Sequence, residues 1–358
     1  MKKIILLLLV FTSATTFSQT AENIIIITTD GFRWQEVFDG MDSSIANNKK
    51  FNQDDSAKIF KEYWADNSAS RRKKLMPFLW NTVEKNGQIY GNRDLNNYVD
   101  NANRYWFSYP GYNEIFTGYP DTIINSNSYP ANPYTNVLEY LNKQPKYKNK
   151  VAAFGAWIAL DRILNESRSK IPVYAAFDKY GGANPNANEK LINTLSNDAY
   201  KPFDDEECLD VFVHYAAMEY LKNKKPKVLY ISYGETDEWA HSGHYKDYLH
   251  AASMVDKWIS EIWNYVQSDP FYKNKTALFI TVDHGRGLKD EWTSHNNKIK
   301  NSYQIWFAAM GPGIKTKGEV KMAGQLYQKQ FAQTFANIIG QIFSCEHPVG
   351  EKIDLNGN

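Results

Sequence analysis

Short continuous apolar runs recur along the chain, each bounded by polar or turn-forming residues. The first is Asn23–Thr29, with isoleucine at four successive positions. Runs at 150–154, 227–233 and 276–282 read the same way, and 305–309 is a weaker fifth. Unbroken apolar character over so short a span marks a strand buried on both faces, as in a parallel sheet covered by helices. Between the runs, at 73–85, 187–196, 204–221, 246–267 and 328–343, apolar residues fall on one helical face. Strands alternating with helices predict an α/β fold, a mostly parallel central sheet sandwiched between helices. Asn- and Tyr-rich stretches at 94–105 and 125–134 read as surface insertions.

In such sheets, sites form beyond the carboxyl ends of the strands. Asp30, Asp237 and Asp283 each lie just past such an end. A single Asp there is an ordinary helix N-cap. Three are harder to explain that way when His241 follows Asp237 by four residues and His284 adjoins Asp283.

The amino terminus qualifies where this chemistry would take place. Lys2 and Lys3 precede an apolar run at 4–11 and a small, polar stretch at 12–18. That order reads as a secretory signal peptide over 1–18, since the run is far short of the ~20 residues a membrane span needs. The expectation is an exported protein, periplasmic or secreted, with a single catalytic domain over 19–358. No other segment is long and apolar enough to span a membrane. The 41 basic residues, less Lys2 and Lys3, leave 39 against 40 acidic ones. A chain so balanced lacks the basic surplus of a general nucleic-acid binder, so no stable nucleic-acid partner is expected. Export permits a disulfide between Cys208 and Cys345, but sequence leaves their pairing open. Neither has metal-type spacing.

Carboxylates and imidazoles are the ligands of zinc-type ions. On one helical turn, Asp237 and His241 would face a single ion, which His295 can complete. Asp283 and His284 can aim at a second, with Asp30 as a third ligand. A two-metal site with ions ~4 Å apart suits phosphoryl transfer. Ser108 is the candidate nucleophile. It lies just before PGYNEIFTG, a helix start whose Pro suits the first turn and whose backbone N–H groups would face a phosphate. Coordination by metal would activate the hydroxyl without a Ser–His–Asp relay. Of the other histidines, His214, His244, His250 and His347 are read as non-ligands.

The motifs IIIITTDGFR, FSYPGYNEIFTGYPD, GETDEWAH, TVDHG and TSHN, in this order over about 24–313, resemble the alkaline phosphatase superfamily. The closer resemblance is to its type I phosphodiesterase and nucleotide pyrophosphatase branch, with related bacterial phosphatases. The resemblance implies two Zn²⁺ ions, other divalent metals being possible. Asp237, His241 and His295 would hold one, and Asp30, Asp283 and His284 the other, with Ser108 bridging. It implies a phosphoseryl intermediate on Ser108. It also implies an Asn donor to the phosphoryl group, for which Asn127 is the candidate and Asn125 the alternative. Arg33 and Arg286 flank the metal motifs and are expected either at substrate anions or in salt bridges to nearby carboxylates. Tyr109 and Tyr112, with Tyr105 and Trp106, are expected on the leaving-group side, where Trp157 and Trp292 would join them.

Diesterases of this branch usually carry Thr as nucleophile; Ser108 keeps the required oxygen. Sulfatases of the superfamily use C/S-x-P-x-R, and here Tyr112 stands where the Arg would be. The Lys–Arg clamp of some secreted monoesterases is not evident in AFGAWIALDR, where Arg162 is near but displaced. The sequence therefore favours a phosphodiesterase or phosphatase acting on a small-molecule, lipid or nucleotide phosphate ester. A phosphate-scavenging monoesterase is the first alternative. A sulfatase and a catalytically silent binding protein rank below it.

Overall fold

The computed structural model describes residues 20–357, and the expected signal segment lies outside them. Eleven strands are described: β1 Asn23–Thr29, β2 Gly87–Tyr90, β3 Asn97–Asp100, β4 Val151–Gly155, β5 Val173–Ala175, β6 Val228–Tyr233, β7 Thr276–Thr281, β8 Gln304–Ile305, β9 Phe307–Met310, β10 Gly318–Glu319 and β11 Gly324–Tyr327. Eight form one sheet in the order β10-β2-β9-β7-β1-β6-β4-β5, and β11-β3-β8 form a small second sheet. In the large sheet only β9 runs antiparallel to its neighbours. The fold is α/β, a mostly parallel sheet flanked by helices.

The strands that carry the acids are adjacent. β1 lies between β7 and β6, with Thr28 opposite Thr281 and Thr29 opposite Tyr233. This register brings the three carboxyl ends level. Every residue of β1, β6 and β7 is buried, which is why their runs are continuous rather than alternating.

Several expectations need correction, among them the helix at 204–221, which starts only at Asp210. The helical stretch at 73–85 is broken: one helix is Ser68–Leu75, a π-turn covers Leu79–Val83 and a short helix covers Glu84–Asn86. Pro77 explains the break, because it disfavours helical backbone at Met76, which sits at φ −130 and ψ 70. The weak fifth strand at 305–309 is two strands in two sheets. Trp306 separates them, its indole N–H donating to the Phe32 carbonyl at 3.0 Å. The stretch at 328–343 is helical as an α-helix only over Phe331–Ile338 and stops before Gly340, whose φ of 73 is left-handed. The insertion expected at 94–105 contains β3, whereas 125–134 is irregular. Cys208 and Cys345 are both free thiols. No helix among the described residues is long and apolar enough to cross a membrane.

Candidate metal centre and active site

Asp30 follows β1, the helix Glu235–His241 follows β6, and Asp283–His284 follow β7. The level register sets these groups face to face. Two clusters result, Asp237–His241–His295 and Asp30–Asp283–His284, each with one ligand atom per residue and all three within 4.8 Å of one another. In the first, His241 Nε2 lies 2.9 Å from His295 Nε2 and 3.0 Å from Asp237 Oδ2. In the second, His284 Nε2 lies 3.3 Å from Asp30 Oδ1 and 3.2 Å from Asp283 Oδ2.

The surroundings aim these atoms. His284 Nδ1 donates to the Gly285 carbonyl at 2.9 Å, which leaves the Nε2 lone pair facing the carboxylates. His295 Nδ1 donates to the Trp106 carbonyl at 3.4 Å, with the same effect. Tyr112 donates its hydroxyl to Asp30 Oδ2 at 2.8 Å, and the Gly31 N–H donates to Asp283 Oδ1 at 3.0 Å. The remaining oxygens, Asp30 Oδ1 and Asp283 Oδ2, are buried without a hydrogen-bond partner among the described residues. Buried acceptors normally have partners. Two orphaned carboxylate oxygens beside three convergent imidazole nitrogens are donors of the type that could hold divalent metal ions. The two clusters differ in access: the His284 side chain is fully buried, whereas that of His241 is 43% exposed.

Proton affinities follow from the same crowding. Burial opposes charge on His284, but Asp283 and Asp30 overcome it and lift the imidazole to about 9, so that with no cation between them Nε2 carries a proton that a metal ion would replace. Burial and the neighbouring Asp30 push Asp283 well above the carboxylate range. Burial would also raise Asp237, yet Arg286, His241 and His295 hold it well below that range. His295 is driven well below the usual imidazole range by burial and by His284.

Ser108 opens the helix Ser108–Thr117, whose N-cap residue, Phe107, makes no side-chain capping bond. Ser108 Oγ lies 3.3 Å from His284 Nε2, between the helix and the second cluster. Asn127 caps this turn from outside, its Oδ1 accepting from the Tyr109 N–H at 3.0 Å. Asn127 also lines a cleft of about 520 Å³ that carries Trp157 and Arg162. Arg162 Nη2 donates to the Asn127 carbonyl at 3.4 Å, and Asn127 caps the first turn of the Ser108 helix.

The four side chains expected at substrate end elsewhere. Arg33 is buried and paired with Glu36, its Nε donating to Oε2 at 2.9 Å. Arg286 is buried, donates to Asp237 Oδ1, and reaches the Trp292 and Thr293 carbonyls at 2.8 and 2.7 Å. For both arginines the salt-bridge expectation describes what is seen. Tyr109 turns into the core and donates to the Pro130 carbonyl at 2.7 Å. Tyr112 is an orienting group for Asp30, not a surface for a leaving group. Trp292 is also sealed, against Phe51, Tyr245 and Tyr248. Tyr105 and Trp106 remain partly open. None of His214, His244, His250 or His347 joins a ligand cluster among the described residues.

Sequence reasoning missed the supports behind the ligands. Asn101 Nδ2 and Gln328 Nε2 each donate to the Asp283 carbonyl at 2.7 Å, and Thr236 Oγ1 donates to the Asp30 carbonyl at 2.5 Å. Only Thr236 had a signal, its place inside GETDEWAH.

A family model described as the Metalloenzyme superfamily matches residues 93–342. Among solved structures, wild-type alkaline phosphatase PafA superposes with a TM-score of 0.61 at 10% identity, covering 94% of this chain and 99% of that one. The lipoteichoic acid synthase LtaP from Listeria monocytogenes gives 0.52 at 13% identity, covering 95% and 75%. A 2-O GAG sulfatase gives 0.56 at 15%, covering 91% and 72%. At these identities the likeness is one of fold. A search among curated protein sequences finds no match.

Proposed function

The chain belongs to the Metalloenzyme superfamily, the alkaline phosphatase superfamily of the motif resemblance, and on that premise we propose that it is an exported two-zinc phosphoric ester hydrolase acting through Ser108. The observation that carries this reading is the convergence of two three-residue ligand clusters on one sheet edge, with Ser108 Oγ against the second. Asp237, His241 and His295 would hold one ion, and Asp30, Asp283 and His284 the other. Bound zinc supplies Lewis acidity that lowers the Ser108 hydroxyl pKa and offsets phosphoryl charge.

The chain's own residues do the rest. Ser108 Oγ forms a bond to phosphorus while the ester P–O bond breaks and the leaving group departs. Water then cleaves the phosphoseryl ester and regenerates the serine hydroxyl. Asn127 has its Oδ1 committed to the Tyr109 N–H, and its Nδ2 would donate to a non-bridging phosphoryl oxygen. Tyr112, with its hydroxyl on Asp30, fills the place of the sulfatase Arg, so phosphate rather than sulfate esters are favoured.

Diester hydrolysis is the first reading, as the incomplete Lys–Arg clamp suggests. Monoester hydrolysis is the second, and the place of Arg162 beside Asn127 favours it, since a guanidinium there offers charge to a dianion. Purified, zinc-loaded protein assayed on p-nitrophenyl phosphate, bis-p-nitrophenyl phosphate and p-nitrophenyl sulfate separates the possibilities. Absence of turnover on both phosphate esters rejects the proposal. A monoester rate far above the diester rate selects the second reading. Ser108→Ala should abolish turnover with metal content still near two ions per chain, and an active variant would remove Ser108 from its role.

A further inference from the structure

The chain reaches Ser108 through a turn that its own residues do not favour. Trp106, just upstream, has a φ of 55, in the left-handed region, where a bulky side chain is out of place. Glycine or asparagine is the usual choice there. Such backbone persists only where its surroundings hold it, and the holder here is Asn103. Its Oδ1 accepts from the Tyr105 and Trp106 N–H groups at 2.9 and 3.1 Å. Asn103 is itself fixed, since its backbone N–H and its Nδ2 both donate to Glu114 Oε2 at 2.8 Å. Glu114 is fully buried on the Ser108 helix and also accepts from the Ala102 N–H at 2.9 Å and the Lys329 N–H at 2.8 Å. N–H donors, not a cation, therefore account for this buried carboxyl among the described residues.

The turn matters because of what it presents. The Trp106 carbonyl accepts from His295 Nδ1 at 3.4 Å, which orients the imidazole toward the first cluster. Next to this turn, Asn101 Nδ2 donates to the Asp283 carbonyl and to Gln328 Oε1, each at 2.7 Å, and Gln328 immediately precedes the Lys329 N–H that Glu114 holds. One buried carboxyl thus joins the nucleophile's helix, the support of His295 and the support of Asp283. Resting on the phosphoric ester reading above for its kinetic consequence, we propose that Asn103, anchored by Glu114, is a positioning residue: it holds Trp106 in the left-handed turn and so keeps Ser108 and His295 in register.

The test compares Asn103→Ala with the wild type on the full chain, and repeats the comparison in a Trp106→Gly background, where glycine adopts the turn without help. In the wild-type background, Asn103→Ala should lower kcat on p-nitrophenyl phosphate or its bis-ester by about ten- to a hundredfold with KM within about twofold, the size seen when groups that orient metal ligands are lost. After dialysis at limiting free zinc it should retain closer to one ion per chain than two, as read by mass spectrometry. In the Trp106→Gly background the same substitution should cost less than about threefold in kcat and no zinc relative to Trp106→Gly alone, because residues acting through one turn are not additive. If Asn103→Ala does not fold, Asn103→Ser, which keeps an acceptor for the turn and gives up the Nδ2 donor to Glu114, replaces it in the same cycle. Equal losses in both backgrounds, or zinc retention by the variant equal to that of the wild type, overturn the proposal. A wild type inactive on every phosphate ester rejects the parent reading, and the zinc-retention cycle then decides the role of Asn103 by itself.

Discussion

Arg286 is the side chain whose contacts reach furthest through the site. Its guanidinium donates to Asp237 Oδ1 while Nε and Nη2 hold the Trp292 and Thr293 carbonyls, two residues before His295 in the case of Thr293. One residue thus fixes a carboxylate ligand and the segment that delivers an imidazole to the same cluster. Three acceptors in fork geometry suit Arg and not Lys. Lys keeps the charge but cannot serve all three acceptors at once, and loss of groups that orient ligands costs ~10–100-fold in metal affinity. Arg286→Lys is expected to lower metal content from two ions toward one per chain after dialysis at limiting free zinc, as read by mass spectrometry. Retention of both ions at wild-type affinity would make Arg286 a packing residue only. Gly31 belongs to the same corner. Its φ is 57, and an added Cβ would fall 2.3 Å from Asp237 Oδ1, so the turn after Asp30 admits no larger residue.

At the scale of elements, two contacts hold the site's walls. Gly111 lets the Ser108 helix approach the Asp283 carbonyl so closely that a Cβ would lie 2.5 Å from it. Farther out, Asp256 on the helix Tyr245–Ser268 accepts from the Phe78 and Leu79 N–H groups at 2.7 and 2.9 Å and closes the break made by Pro77. Burial lifts the Asp256 carboxyl, the two N–H groups partly oppose this, and it rests at about 7. An unfolded Asp titrates near ~3.9. Between these values the folded chain holds a proton that the unfolded chain has released. The contribution is therefore fully present below about pH 4 and is lost as pH rises through about 7. It amounts to a few kcal/mol at most. Asp256→Asn cannot titrate, so between pH 4.5 and 7.5 its urea midpoint should fall less than that of the wild type. Parallel pH curves for the two proteins would contradict the assignment.

The same elements show what the sequence could reveal. Asp30, Asp237 and Asp283 were legible because each follows an apolar run, and strand ends in a parallel sheet share an edge. β2, β3 and β5 were not, since GQIY, NYVD and VYA are too short to show a period. The break at Met76 was legible in principle, because Pro77 stands inside the helical pattern. The direction of Arg33, Tyr109 and Tyr112 was not. Arg33 pairs with Glu36 three residues on, a spacing equally open to a free guanidinium, while Tyr109 and Tyr112 are set by Pro130 and Asp30, partners remote in sequence of which spacing carries no record.

Across the whole molecule, the ligands run from Asp30 to His295 and join the ends of three strands to one long loop. Three carboxylates face one another there, and among the described residues only Arg286 pairs with them as a permanent cation. Bound metal therefore contributes to stability by mass action, ~4 kcal/mol for each ion present at a thousandfold excess over its Kd. Chelation should lower the Tm by on the order of 5–10 °C, with recovery on adding zinc back. The loss should be local before it is global. His295 is held by the first cluster and by the Trp106 carbonyl, while Lys289, Lys298 and Lys300 on either side of it are exposed. Without metal that segment keeps the Arg286 contacts and the Trp292 packing at its start and only the 3.4 Å Trp106 contact at His295 itself. Trypsin should cut there faster in excess chelator than in zinc, at temperatures well below the Tm, with fragments near 30 and 7 kDa as a rough guide from where the segment lies in the chain. Equal cleavage rates in the two conditions would mean that the loop is ordered by packing alone and that the His295 ligand is fixed before any ion arrives.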